Sequence, residues 1–228
     1  RRDFKGSQDQ KAYQDKIAGA EFLEFLRKRL VMMRELLSNN GSIYIHLDLK
    51  KGHYIKVLAD EIFGEHNFRN EIAWCYTSGG ASKTSFASKH DLIFCYGKSG
   101  NTLFNTQYYK RYVLVQNGEE VGFDPRIEYH KDEQGRSYRV NLAIDWWSDI
   151  GIISPNSTNE RTGFPTQKPE TLLERIINAS SNKGDIILDA FSGGGTTAAV
   201  AEKLGRRWVA IDVGKLAIYT TQKRILTL

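Results

Sequence analysis

Apolar positions in GAEFLEFLRKRLVMMRELLSNNG recur at steps of three and four, so Phe22, Leu26, Leu30, Met33 and Leu37 share one face while Arg27, Lys28 and Arg34 fall outside it. That period predicts an amphipathic helix. Asn39, Asn40 and Gly41 supply its stop. SIYIHLD, rich in β-branched and aromatic residues, predicts a buried strand over residues 42–48. HYIKVLADEIFG predicts a second helix with Ile55, Leu58 and Ile62 inward, ending at Gly64. Helix, strand, helix is the rhythm of an α/β sheet.

From about residue 70 to residue 159 the pattern changes. Short apolar runs, EIAWCY and DLIFCYG, alternate with Gly/Ser/Lys stretches such as TSGGASKTSFASKH, and this middle third reads as an insertion. Regular order returns at Pro169: PETLLERIINASS predicts a helix with Leu172, Leu173, Ile176 and Ile177 inward. DIILDA is then a strand, GTTAAVAEKLG a helix closed by Gly205, RWVAID a strand and KLAIYTTQKRIL a last helix. AIDWWSDIG, with Trp146 and Trp147, reads as a packing segment between the insertion and this last part.

Composition narrows the class without choosing a function. The 228 residues are 40% hydrophobic and 11% aromatic, which is globular rather than disordered, and 32 Lys+Arg against 27 Asp+Glu give +5, a mild bias toward polyanions. Cys75 and Cys95 are the only cysteines, too few for a disulfide framework and not at metal-ligand spacing. His53, His66, His90 and His130 show no ligand spacing either, and His46 with Asp48 at a strand end reads as structural. No apolar run approaches the about 20 residues of a membrane span, so a cytoplasmic, reducing setting without a membrane partner is expected. The absence of a G-x-S-x-G elbow leaves hydrolase chemistry without support.

The chemistry-bearing stretch is ILDAFSGGGTTAAVAEKLGRRWVAIDV, residues 187–213. A strand runs into Gly193, Gly194 and Gly195, and a helix starts at Thr196, so free N–H groups and the positive end of the helix dipole face the turn. Asp212 ends the next strand, where it can accept hydrogen bonds from the hydroxyls of a ribose. Taken alone, Gly193-x-Gly195-x-x-Ala198 followed by Asp212 also passes as a dinucleotide fingerprint. Three details favour another ligand. The Asp189 carboxylate would repel a pyrophosphate but attract an amine. Phe191 can pack against an apolar or aromatic group, and Thr196 and Thr197 place hydroxyls where a carboxylate can be held. A ligand with ammonium, carboxylate, ribose and adenine fits better, namely S-adenosyl-L-methionine. A nicotinamide-dependent oxidoreductase stays as a weaker reading, because a dinucleotide domain opening here would have only about forty residues, far short of the six-stranded double unit.

LDAFSGGGTTAAVAEKLGRRWVAIDV also resembles the cofactor region of DNA amino-methyltransferases, and RTGFPTQKPETLLERII, residues 161–177, resembles the segment preceding it in the β class, whose motif order is permuted. EFLEFLRKRLVMMRELLSNNGSIYIHLD and DEIFGEHNFRNEIAW are similar to later motifs of that class's catalytic half. The resemblance covers nearly the whole chain and is nearest to the methyltransferases related to type III modification subunits. It implies an α/β, Rossmann-like methyltransferase fold with a mostly parallel sheet and an inserted target-recognition region. The implied parts are residues 1–70 from the catalytic half, residues 71–159 as target-recognition insertion and residues 160–228 as the cofactor half.

The resemblance further implies that Asp189, Phe191, Gly193, Gly195, Thr196 and Thr197 form the cofactor loop, that Asp212 binds ribose and that Lys168 in TQKP lies against the methionine end. Ala190 stands where the family usually has proline, and the family's catalytic tetrapeptide, (Asp/Ser/Asn)-Pro-Pro-Tyr, is nowhere in the chain. The expected place of that motif is upstream of Arg1, so the chain as it stands is expected to transfer no methyl group. The implied partner is double-stranded DNA, with N6 of adenine favoured over N4 of cytosine as target. A non-catalytic, methyltransferase-like DNA-binding or partner subunit stays open, as do a homodimer and a restriction-system subunit. Lys83, Lys89, Lys98, Tyr108, Lys110 and Arg111, cations interleaved with aromatics, are the candidate DNA contacts.

Overall fold

The computed structural model describes residues 19–48, 50–76, 83–122, 124–153 and 160–228. Residues 77–82, which open the TSGGASKTSFASKH stretch, lie outside the described residues.

The predicted helical stripe packs as its period requires. Helix α1, Ala20–Leu36, buries Leu26 and Leu30 against α2, Gly52–Phe63, which buries Ile55, Leu58, Ala59 and Phe63. Gly64, at φ +87°, then ends α2. Both helices cover a sheet that includes β1 (Ser42–Leu47), β2 (Phe68–Cys75) and β3 (His90–Gly97), with Tyr96, Phe94 and Ile93 fully buried. The β3 run LIFCYG is therefore the innermost strand of this half.

A three-stranded sheet stands apart from it, formed by β4 (Tyr108–Tyr112), β7 (His130–Lys131) and β8 (Ser137–Leu142) in the order β4-β8-β7. Between β4 and β7, β5 (Leu114–Gln116) and β6 (Glu119–Val121) form a hairpin around Asn117 and Gly118, both at positive φ. Strand β9 (Trp146–Trp147) joins the first sheet, whose order is β1-β3-β2-β9. The last part runs α3 (Glu170–Ser180), β10 (Ile186–Asp189), α4 (Thr196–Lys203), β11 (Arg207–Ala210) and α5 (Lys215–Ile225).

Two features differ from the sequence expectation. First, β2 and β3 fall within the stretch read as an insertion, yet they pair with each other and β3 pairs with β1, so residues 68–97 share a sheet with the first third of the chain. Second, a mostly parallel sheet was expected, and the parallel pairs among the described strands are β10–β11 and β2–β9. The reason lies in the connections. β1 reaches β2 through helix α2, which leaves them running the same way, whereas no described helix separates β2 from β3 and the chain returns antiparallel between them.

Helix α3 spans the two sheets from one side. Its Leu172, Leu173 and Ile176 pack with Trp74 and Tyr44, and its Ile177 packs with Val200 and Ile187. Tyr44 of β1 bonds Ser180 at 2.6 Å. The opposite face of β10–β11 is apolar and open, with Ile186, Leu188, Val209 and Ile211 all exposed. β1 pairs with β3 alone and β10 with β11 alone among the described strands, so each keeps one free edge.

Gly195 is the tightest point of the turn into α4. Its φ is +72°, and a Cβ there would lie 2.9 Å from the Thr221 Cα. Left-handed strain and overpacking together predict that Gly195→Ala lowers the unfolding free energy by about 2–4 kcal/mol. Gly151→Ala, whose Cβ meets open space, should be near neutral in the same urea titration. Equal effects of the two would refute the packing account.

Candidate cofactor and nucleic-acid site

The strand-to-helix turn is built around two carboxylates. Asp189, at the end of β10, accepts hydrogen bonds from the Phe191 amide at 3.1 Å and from the Thr197 hydroxyl at 2.6 Å. Asp212, just beyond β11, accepts from the Gly193 amide at 2.9 Å and the Gly214 amide at 2.8 Å. Each carboxylate is fixed by two donors and retains lone pairs for a ligand. Between them Phe191 is half exposed, its ring 6.4 Å from Phe25 of α1. A Cβ on Gly193 or Gly194 would come within 3.2 Å or 3.1 Å of Phe164, so that ring is the floor of the turn.

Thr196 does not do what the sequence suggests. It is buried, its hydroxyl donates to the Lys168 carbonyl at 3.1 Å and accepts from Arg224 at 3.1 Å, and it has no hydrogen left for a ligand carboxylate. Thr197 spends its own hydrogen on Asp189. Neither hydroxyl is thus aimed at a ligand carboxylate, and Lys168 is the cation nearest in chemistry to that task.

Arg224 and Ser192 are contributors that sequence patterning passes over. The Arg224 side chain, 6% exposed, pairs with Glu170 at 2.7 Å and reaches the Thr196 hydroxyl, tying α5 and α3 to the start of α4. Burial alone would raise the Glu170 pKa, but hydrogen bonds from Lys203 and Arg224 outweigh it and hold the carboxyl below its usual range. Ser192 lies inside the turn with its hydroxyl buried and without a hydrogen-bond partner among the described residues. Such an atom calls for a ligand or water.

A second cluster forms where β1, β2 and β3 meet the loop before α3. Asp91 accepts from His46 Nε2 at 3.0 Å and from the Tyr76 hydroxyl at 3.1 Å, and the Lys168 ammonium stands 3.9 Å away. Lys168 and His46 both lie against Trp74, at 5.7 Å from its ring in each case. Burial lowers the His46 pKa below its usual 6.5, outweighing the Asp91 hydrogen bond. The neutral ring then carries its proton on Nε2, which donates to Asp91. That bond from His46, opposed by burial, holds the Asp91 carboxyl below its usual 3.8. Burial likewise lowers the Lys168 pKa, with the Asp91 charge opposing. His46, read from sequence as structural, is thus in the wall of the site. Its partner lies 45 positions away, a pairing that no local pattern reveals.

The candidate DNA contacts do not form one surface. Lys83 and Lys89 precede β3, at the end of the sheet that holds Asp91. Lys98 follows the other end of β3, about 30 Å from Lys89 at the rise of a strand. Its ammonium caps the Arg34 carbonyl of α1, which takes it out of the proposed contact set. Lys110 shares a face with Tyr108 and Tyr112 and lies 4.5 Å from the Tyr138 ring, whereas Arg111 projects from the opposite face of β4. Arg136, absent from the expectation, stacks 4.5 Å from Tyr112.

The His46–Asp91 pair has a pH signature. Below pH 6.5 the unfolded chain takes up a His46 proton that the folded chain refuses, so the unfolded state binds more protons and stability rises with pH through that window. Asp91 adds a second loss only below 3.8, as pH falls through its depressed folded value. Urea midpoints should therefore fall between pH 7 and pH 5, and His46→Gln should flatten that limb. An unchanged limb in the variant would show that folded His46 is charged.

Comparison with known proteins places this geometry. The sequence profile described as DNA methylase, for the N6/N4 methyltransferases, matches residues 3–223. Type II methyltransferase M.EcaI of Enterobacter cloacae is 30% identical over 97% of this chain and 61% of its own length. DNA adenine methyltransferase YhdJ of Escherichia coli strain K12 is 29% identical over 90% of this chain and 67% of its own length. A DNA modification methylase of Thermus thermophilus, solved in complex with S-adenosyl-L-methionine, shares the fold with a TM-score of 0.56 at 17% identity, over 90% of this chain and 77% of that one. The chain spans about three fifths of the length of M.EcaI and of M.HpaI from Haemophilus parainfluenzae, 61% and 60%. No helix of the described residues is long and apolar enough to cross a membrane. With its cofactor-type turn and a profile match over nearly its whole length, the chain belongs to the N6/N4 DNA methylase family.

Proposed function

We propose that the chain is the cofactor-binding and target-reading part of an S-adenosyl-L-methionine-dependent DNA methyltransferase acting on N6 of adenine. The observation that carries the proposal is the paired-carboxylate turn: Asp189 and Asp212, each fixed by two donors, flank Gly193 at the ends of parallel strands. Two carboxylates repel a pyrophosphate and suit a ligand that offers an ammonium and ribose hydroxyls. The buried, unpartnered Ser192 hydroxyl and the exposed Phe191 ring fit an occupant of the turn. Asp212 would take the ribose hydroxyls, Asp189 the ammonium, and Lys168 the carboxylate. The name of YhdJ, a DNA adenine methyltransferase, supports adenine as the base.

When bound, the cofactor supplies a methyl group on an electrophilic sulfonium. The chain's own task is to place that group and the incoming amine, since positioning is where much of such a rate enhancement originates. An exocyclic amine is unreachable inside a duplex, so the base must leave the stack at a cost of about a few kcal/mol. The family's tetrapeptide, which would accept hydrogen bonds from the amine, is not among these residues. The free edges of β1 and β10 and the open apolar face of Ile186, Leu188, Val209 and Ile211 suit one further strand between the two sheets. We place the tetrapeptide on that strand and take the small sheet of β4, β7 and β8 as the centre of the reader.

Calorimetric titration should show S-adenosyl-L-methionine binding to the chain, weakened at least about tenfold by Asp212→Asn through loss of a charged hydrogen-bond acceptor. NAD should not bind, and NAD binding in place of S-adenosyl-L-methionine would overturn the proposal. With tritiated cofactor, the full-length protein should label DNA as N6-methyladenine while the chain alone should not. N4-methylcytosine in the digest would move the target to cytosine, and labelling by the chain alone would refute the need for the extra strand.

A further inference from the structure

The register of β4 against β8 sets Arg111 directly opposite Arg139. Like charges directly opposite one another destabilise a sheet. Among the described residues neither guanidinium forms an ion pair, and Asp124, whose carboxyl feels the Arg139 charge, is already held by Arg126 at 2.8 Å. The pair is therefore a site of excess positive charge maintained at a cost in stability. It borders a cleft of about 270 Å³ lined by Tyr109, Arg111, Trp146, Ser148, Asp149 and Arg175.

The far wall of this cleft is rigid. Arg175 is bound to both oxygens of Asp149, at 3.0 Å and 2.5 Å, and lies 5.1 Å from the Trp147 ring, so its charge is already matched. Trp147 is buried, but Trp146 beside it is 57% exposed. The Trp146 indole N–H is nonetheless fixed, at 2.7 Å from the Cys75 sulfur. An exposed aromatic ring anchored at one edge, facing a cleft with unmatched guanidinium charge, is the combination that binds single-stranded nucleic acid through stacking and phosphate contact. The cleft is smaller than the usual pocket for a drug-sized ligand and has room for one nucleotide unit, not for a duplex.

We propose that this cleft holds one unpaired nucleotide of the DNA strand, its phosphate between Arg111 and Arg139 and its base on Trp146. The proposal rests on the reading of the chain as a DNA methyltransferase and adds a strand contact on the side of the small sheet opposite Lys110.

The test uses the full-length protein and fluorescence anisotropy with a labelled single-stranded oligonucleotide across a salt series. Arg111→Gln should reduce the slope of log affinity against log salt by about one. Trp146→Leu should weaken binding about tenfold, and Trp146→Phe should restore most of it, as stacking requires. Binding of S-adenosyl-L-methionine, measured in parallel, should stay unchanged and so report intact folding. Without DNA, Arg111→Gln should raise the melting temperature, because it removes the opposed charges. Wild-type affinity and slope in both Arg111→Gln and Trp146→Leu would overturn the cleft while leaving the methyltransferase reading intact. Failure of the unmodified protein to bind DNA at low salt would overturn that reading and this proposal with it.

Discussion

The buried guanidinium of Arg224 is the constraint from which the cofactor half is organised. A charge that is 6% exposed must be paired, since a lone buried ion costs several kcal/mol. Its partner Glu170 opens α3, and Arg224 itself lies in the last turn of α5, so each charge also sits at the favourable end of its helix dipole. Because Arg224 also reaches Thr196, the first residue of α4, three helices meet at one side chain. Thr196 in turn donates to the Lys168 carbonyl, and the Lys168 ammonium faces Asp91 in the other sheet. The position of the turn relative to the Asp91 cluster therefore follows from one buried ion pair and the contacts it aligns.

Much of this fold is legible in the sequence because the information is local. The 3.6-residue stripe of Phe22, Leu26, Leu30 and Met33 and the stop at Gly64 mark α1 and the end of α2. Gly193 and Gly195 take the positive φ that a strand-to-helix reversal demands. What was not legible depends on contacts between distant residues. The placement of β3 between β1 and β2 is set by pairing, and both β2 and β3 read as short apolar runs whether they belong to an insertion or to the main sheet. Asp91 and Arg224 carry no motif, and their roles arise from partners 45 and 54 positions away. Lys98 looks like its neighbours in composition, but its position past the far end of β3 gives it to the α1 terminus.

The direction of the strands explains why the polar groups gather where they do. β1 and β2 run the same way, so His46 near the end of β1 and Tyr76 just beyond β2 reach Asp91 at the start of the reversed strand β3. β10 and β11 are parallel, and both end at the carboxylate turn. Ligands of open α/β sheets bind beyond the carboxyl ends of the strands. Here that rule brings two clusters from separate sheets to the same side of the molecule, linked through Lys168. The antiparallel β3 adds to this by directing its first residues, not its last, to the site.

Charge is divided between the two regions in a way that the net value of +5 conceals. The turn and the strand ends are rich in carboxylates: Asp91, Asp189 and Asp212. The small sheet instead presents Lys110 and Arg136 over tyrosine rings on one face and Arg111 with Arg139 on the other. A phosphate backbone is repelled from the first region and drawn to the second, over distances of about a Debye length, roughly 8 Å at physiological salt. Under the proposed function this polarity orients the substrate before any specific contact forms. The strand settles on the small sheet, and only an uncharged base enters the carboxylate-lined site without electrostatic cost. A uniformly basic surface would bind DNA as well, but it would also hold phosphates over the cofactor turn, where they compete with the base. The acidic residues thus contribute to selection as well as to cofactor binding, because they make the site unfavourable for the part of DNA that must stay outside it.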